Sequence, residues 1–318
     1  MKLKQDRLLD PSLLPATLWD AAAKVLHLPP QLAYAYRTLI DRHSLHELAN
    51  SRDPNNPPVG GIDKASTDQH FAQAFDGSAA RAQLAATDPM GDVVRASNAF
   101  VQMLSGNRVC IADAPCGAGA TAFSFLTTIA EFRAHSVLPR LPLDVILIGA
   151  EISASARDYA TQLLVELNSQ FEEQAIFISA DFLSWDVTDS ISTTDLIKKI
   201  TVASSDCRKL LLVVANFNSF LEKERKKKEA QPNLEELFRH ASGGNTMAIW
   251  IEPDMNRAIA DGGLFSWLGK LIDSAWQRFV SKAEKVETAS AQLSLPLRPD
   301  QTVRVGLAVL AMILRRSQ

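Results

Sequence analysis

Four stretches of the chain carry residues whose chemistry could converge on one ligand. The first, IADAPCGAGATAFSF (111–125), sets Asp113 ahead of Pro115, Gly117 and Gly119. Glycine in such a turn lets backbone approach a ligand and adopt positive φ. A helix starting there adds free N–H groups and a partial positive charge. The turn can therefore hold a pyrophosphate or an amino-acid carboxylate. GAGATA also fits G-x-G-x-x-G/A, the dinucleotide fingerprint, so the turn alone leaves both ligands open. The second stretch, DVILIGAE (144–151), ends in Glu151, a carboxylate suited to a ribose diol. It lies 32 residues after Gly119, whereas the fingerprint expects an acid about 20 residues on. A helix and the loop HSVLPRLPLD fill that gap. The third, SADF (179–182), offers Asp181 to an exocyclic amine and Phe182 to the face of an adenine. The fourth, VVANFNSF (213–220), offers Asn216 and Asn218, whose amides could orient the lone pair of a reacting amine. Each residue also has a plain structural use as a cap, a turn former or a core side chain.

These groups need elements that bring them to one edge. From Arg108 onward, apolar runs alternate with amphipathic segments. Strands are expected at 108–114, 144–151, 175–181, 209–216 and 245–252. Helices are expected at 118–134, 153–168, 190–203 and about 218–240. The clearest helical stripe runs Leu264, Trp267, Leu268, Leu271, Ile272, Ala275, Trp276, Phe279. Strand–helix alternation implies right-handed crossovers and a mainly parallel sheet, with strands apolar on both faces. The alternation ends at ASAQLSLPL (289–297) and TVRVGLAVLAMIL (302–314). Their four-residue link, Arg298–Gln301, is too short for a crossover, so these two strands should be antiparallel. Before residue 107 the pattern is helical and interrupted. Leu18, Ala21, Ala22, Val25 and Leu26 recur at helical spacing, and further helices are expected over 31–49, 67–86 and 90–105. DPNNPPVGG (53–61) reads as a loop or hinge.

Composition excludes several classes. Of 318 residues, 47% are apolar and 22% charged, which suits a globular core and not a disordered or collagen-like chain. The net charge of −3 requires no polyanion as partner, though it permits a local basic patch. Cys110, Cys116 and Cys207 form neither a disulfide framework nor a metal-type pair. No metal site is expected. Neither a signal peptide nor a membrane span is expected, so the expected location is cytoplasmic.

Taken together, IADAPCGAGA, Glu151, SADF and VVANFNSF make residues 92–314 resemble a class I S-adenosylmethionine-dependent methyltransferase. The resemblance implies a Rossmann-like, seven-stranded, mostly parallel sheet with a C-terminal antiparallel hairpin, preceded by a helical N-terminal extension. Residues 1–91 would form a cap or partner-binding region and 92–318 the methyltransferase-like domain. The implied cofactor is S-adenosylmethionine. Asp113, Pro115, Gly117 and Gly119 would surround its methionine part. Glu151 would bind the ribose hydroxyls, with Ile152 beside it in the cofactor-binding set. Asp181 and Phe182 would contact adenine, and Asn216 would lie near the methyl-bearing sulfur. Pro115 departs from the family pattern D-x-G-x-G-x-G. Proline fixes φ and has no N–H to offer. DQHFAQAFDGSAARAQ (68–83) carries His70, Phe71 and Phe75. The resemblance implies a helix that lies over the cofactor and shapes the substrate entrance, while the preferred reading is that both phenylalanines pack onto the domain.

Asn216 and Asn218 are the expected catalytic groups. No NPPY-like tetrad or Pro-Cys follows the fourth strand, which weighs against methylation of adenine N6, cytosine N4 or cytosine C5. Pro115-Cys116 lies in the glycine turn, where Cys116 reads as a small turn residue. Glu252-Pro253-Asp254 could touch substrate or cap a turn. LEKERKKKEA (221–230) reads as a solvated helical face with i,i+4 ion pairs, with a nucleic-acid contact as the other reading. The leading function is methyl transfer to a macromolecule, whether RNA, DNA or protein. The alternatives are a catalytically silent binding or regulatory subunit of the same fold and an NAD-dependent oxidoreductase. The oligomeric state is open.

Overall fold

The computed structural model describes residues 7–53, 58, 60–254 and 286–314. The helical stripe at 264–279 and most of the loop at 53–61 lie outside them. The described strands are β1 (Trp19–Asp20), β2 (Val25–Leu26), β3 (Asn107–Asp113), β4 (Leu143–Ala150), β5 (Ile176–Leu183), β6 (Lys209–Ala215), β7 (Thr246–Pro253), β8 (Glu287–Leu295) and β9 (Arg298–Leu314). They form one mixed sheet in the order β1-β2-β8-β9-β7-β6-β3-β4-β5. Strands β5, β4, β3, β6 and β7 are parallel, as the crossovers require. Strand β9 runs antiparallel to both β7 and β8, so the sheet closes as the resemblance implied.

The sheet has nine strands, where seven were expected, because β1 and β2 join its far edge. β2 pairs with β8 in parallel and β1 with β2 antiparallel. The helical spacing read at 18–26 is thus a small hairpin. Asp20 accepts hydrogen bonds from the N–H groups of Ala22 and Ala23, and Lys24 stands at φ 55°. An aspartate bonded to the backbone just ahead of it sets a turn that competes with helix.

The described helices are α1 (Pro30–Arg42), α2 (His46–Asn50), α3 (Lys64–Thr87), α4 (Val94–Leu104), α5 (Ala120–Ala134), α6 (Ala154–Glu173), α7 (Ser190–Ser204), α8 (Asn218–Lys223) and α9 (Lys227–Ala241). Two expected helices are broken, one at Ser44 and one at Arg225. Both residues have φ 55°, which a continuing helix cannot accommodate.

Side chains alternate across the strands and feed two cores. Val109, Ile111, Leu211, Val213, Ile249 and Ile251 face one side, where they meet α3, α5 and the N-terminal elements. Cys110, Ala112, Leu210, Leu212, Val214 and Trp250 face the other, against α7 and α9. α5 is buried along nearly its whole length, its polar side chains included. It packs against α3, which reaches the sheet at β7, β8 and β9, and Ser124 Oγ donates to the Ala79 carbonyl. α3 permits this close approach because the facing stretch is built of small residues, Gly77, Ser78, Ala79, Ala80 and Ala82. Residues before β3 therefore share the core of one sheet face. Among the described residues, no helix is long and apolar enough to cross a membrane.

Candidate functional site

A cleft opens at the C-terminal ends of β3, β4 and β6, the end at which an open parallel sheet binds ligands. The turn after β3 supplies Pro115, Cys116, Gly117 and Ala118. Glu151, Ile152 and Ser153 follow β4. Asn216, Phe217 and Phe220 follow β6.

The Ala114–Pro115 peptide is cis. Gly117 has φ 53°, and a Cβ placed there would meet nothing within 4 Å, so its backbone borders open space. Gly119 has φ 80° and caps the N-terminus of α5. It faces the protein interior, where a Cβ would lie 2.4 Å from the Phe123 ring. Ala120 and Thr121, in the first turn of α5, face the cleft. The positive end of a buried helix thus points toward it.

Glu151 is held at both oxygens. Oε2 accepts from the Gly117 N–H at 3.1 Å and Oε1 from the Ser153 N–H at 2.8 Å. A carboxylate offers about four lone-pair positions, so two remain for a ligand. Burial raises its pKa, and those backbone hydrogen bonds oppose the rise. Asp113, at the end of β3, lies beneath the turn and does not line the cleft. Its Oδ2 accepts from the Ala122 N–H at 3.3 Å, and its buried Oδ1 has no partner among the described residues. Burial pushes this carboxyl up to about 8.

Asn216 has φ 55° and lines the cleft, and its Oδ1 accepts from Arg81 Nε at 2.7 Å. Asn218 does not line it. This residue opens α8 with a fully buried side chain, and both its Oδ1 and Nδ2 are without partners among the described residues. Its N–H and that of Phe217 donate to Glu252 Oε1, as does Trp250 Nε1. Glu252 is therefore an internal anchor for the β6–α8 turn, and burial raises its pKa to about 7.

Asp181 and Phe182 also lie away from the cleft. β5 runs on to Leu183, so both residues sit within the strand and point to opposite faces. Asp181 is exposed and paired with Lys199 at 3.0 Å. Phe182 packs over Gly149 near the ring of Phe123. The cleft is lined instead by Trp185, Asp186 and Val187, just past the strand end. Asp186 Oδ1 accepts from both N–H and Oγ1 of Thr188, leaving Oδ2 free of those bonds.

One wall comes from α3, through Thr67, His70, Phe71, Phe75 and Ser78. Phe71 and Phe75 do pack into the core, stacking with Tyr159 and Tyr36 respectively, and they border the cleft as well. Thr67 Oγ1 and Ser153 Oγ lie 2.8 Å apart, joining this wall to the turn after β4. Burial, helped by the charge of Arg81, pulls His70 down to about 4. Its ring is neutral near pH 7. Among the described residues, no group of acidic, histidine and cysteine side chains could hold a metal ion.

No protein-family model matches the chain, and no curated protein matches it. Solved structures similar to the chain include three methyltransferase-type or cofactor-bound proteins. A candidate RNA methyltransferase from Pyrococcus horikoshii is 11% identical, with 70% of this chain and 84% of that one covered, at a TM-score of 0.32. A candidate class I S-adenosylmethionine-dependent methyltransferase from Listeria monocytogenes is 12% identical, with 68% and 56% covered, at 0.32. Cofactor-bound Rv0187 from MTB is 14% identical, with 83% and 100% covered, at 0.32. This chain's own strand order and directions define its fold as a Rossmann-like α/β sheet ending in an antiparallel strand.

Proposed function

We propose that the chain is an S-adenosylmethionine-dependent methyltransferase acting on a macromolecule. The observation that carries this reading is the convergence of three strand ends on one cleft: the Gly117 turn, the doubly held Glu151 and the Arg81-bound Asn216. The residues present fit the cofactor. Gly117 leaves open space where any side chain would intrude, and a helix N-terminus faces that space. The free lone pairs of Glu151 suit a ribose diol. Trp185 and Asp186 offer a ring and a carboxylate to adenine. Bound there, the cofactor supplies an electrophilic methyl group on a sulfonium.

The chain's own part is alignment and exclusion of water, which carry much of the catalysis in a displacement of this kind. Asn216 lies past the end of β6, and its Oδ1 can also accept a hydrogen bond from an acceptor amine. Phe71, Phe75 and Phe217 exclude water. His70, neutral near pH 7, can accept a hydrogen bond in the same wall. In this reading residues 1–91 serve as a cap that completes the cleft through α3, and residues 92–318 form the transferase body.

The test is label transfer. Protein is incubated with methyl-labelled S-adenosylmethionine and separate RNA, DNA and protein fractions, with Glu151→Gln alongside. Label entering one fraction, and lost with Glu151→Gln, supports transfer. Tight cofactor binding with no label in any fraction favours a silent binding subunit.

A further inference from the structure

We infer that the corner between α8 and α9 is a docking surface for single-stranded nucleic acid, which presents the methyl acceptor to the cleft. This rests on the methyl-transfer reading above and names its substrate class. Within the stretch 223–228 stand Lys223, Arg225, Lys226, Lys227 and Lys228. On one continuous helix these cations would spread around the axis. Arg225, at φ 55°, breaks the helix, so α8 stops at Lys223 and α9 starts at Lys227. The five cations are thereby gathered at one corner. Lys223, Arg225 and Lys228 are exposed there, while Lys227 pairs with Glu222 at 2.6 Å. Glu224 lies within the stretch and Glu222 and Glu229 flank it, so from Glu222 to Glu229 five basic residues stand with three acidic ones in a chain of net charge −3.

The corner is continuous with the cleft. Lys226 Nζ stands 6.0 Å from the centroid of the Phe220 ring, and both residues line the cleft. Phe220 stacks on Phe217, with centroids 5.9 Å apart and ring planes 9° from parallel. Moving inward, the surface passes from exposed cations to a half-buried ring, a second ring and Asn216. An unpaired nucleotide has the same order, with its phosphate outside and its base inside. An acidic peptide would satisfy the cations but has no regular use for the stacked rings. A duplex would keep its bases from reaching them.

The test is fluorescence anisotropy with a labelled 12-nucleotide RNA, a DNA of the same sequence, and an acidic peptide of matched charge, each across a salt series. The expected result is binding of at least one oligonucleotide, with affinity falling steeply as salt rises. The triple variant Lys223→Glu/Arg225→Glu/Lys228→Glu should bind at least tenfold more weakly with a shallower salt slope. Phe220→Ala should also bind about tenfold more weakly, with the slope kept. The RNA and DNA arms identify which polymer is preferred. The proposal is overturned if neither oligonucleotide binds, if the triple variant binds like the parent, or if the peptide binds as well as the oligonucleotides. Calorimetry with S-adenosylhomocysteine on the parent separates the two readings, and on the triple variant it checks that the fold is kept. Retained cofactor binding without oligonucleotide binding removes only this surface, whereas absent cofactor binding removes the methyl-transfer reading.

Discussion

Arg81 and Asn216, 135 positions apart in sequence, are joined by a 2.7 Å hydrogen bond from Nε to Oδ1. One comes from the middle of α3 and the other from the turn after β6. This contact ties the N-terminal helix to the reacting end of the cleft. Burial pulls Arg81 down to about 10, while the charges of Glu252 and Asp76 hold it up. It remains a cation at neutral pH. Arg81→Met should cost about 1–3 kcal/mol, because it leaves the Asn216 and Ser78 side-chain oxygens without their donor. Arg81→Lys should keep most of the stability and still loosen Asn216, since an ammonium lacks the fixed guanidinium fork. Chemical denaturation separates the two variants. Equal losses would contradict this account.

The two turn glycines should respond differently to alanine. Gly119→Ala adds positive-φ strain and drives a Cβ into the Phe123 ring, so about 2–4 kcal/mol of stability should be lost. Gly117→Ala meets open space and should cost about 1–2 kcal/mol through φ alone. Its larger effect should be on S-adenosylhomocysteine affinity, which calorimetry reads. An unchanged affinity would remove Gly117 from the ligand surface.

Two acids near the end of β5 should separate as well. Asp186→Asn should weaken binding of adenosyl ligands about tenfold. Asp181→Ala breaks only an exposed pair with Lys199 and should cost no more than about 1 kcal/mol of stability, with affinity intact. The reverse pattern would restore Asp181 to the adenine contact.

Stability should depend on pH through Asp113. Its carboxyl is raised by burial from 3.8 to about 8 in the folded chain. Between those values the folded chain keeps a proton that the unfolded chain has released. The stabilisation is therefore full below about 4 and is lost as pH rises through about 8. Glu252 acts in the same direction up to about 7. His70, lowered to about 4, acts in the opposite direction between there and 6.5, so the interval from 7 to 8 shows Asp113 most cleanly. In thermal melts without ligand, the parent's Tm should fall across that interval, and Asp113→Asn should flatten the fall. Parallel curves would show that Asp113 is ionised in the folded chain.

Strands β3, β4, β6 and β7 were legible because they are buried on both faces and carry continuous apolar runs, and their expected ends agree to within one residue. β5 is a half-exposed edge strand whose end was read short. The terminal antiparallel strand followed from the short link, although β9 begins at Arg298, within the stretch read as that link. The hairpin at 19–26 was not legible. Two-residue strands have no period, and Leu18, Val25 and Leu26 satisfy helical spacing equally well. In the site, Gly117, Glu151 and Asn216 lie where strand ends put them. Asp181 was misplaced because β5 extends two residues beyond its expected end, which leaves the residue inside the strand and on the face toward Lys199. Asn218 was misplaced because α8 turns it inward, beside the Glu252 anchor. Arg81, His70 and Ser78 belong to a helix far upstream, and no local pattern links that helix to the glycine turn. Their placement depends on the packing of α3 against α5.

The most direct test of the cofactor site is titration calorimetry with S-adenosylmethionine, S-adenosylhomocysteine and NAD, on the parent and on Glu151→Gln and Glu151→Ala. The expected result is one-to-one binding of the first two ligands, no competition by NAD, and at least tenfold weaker binding in both variants. Absence of adenosyl-ligand binding to folded protein, or binding unaffected by loss of the Glu151 carboxylate, would contradict the account.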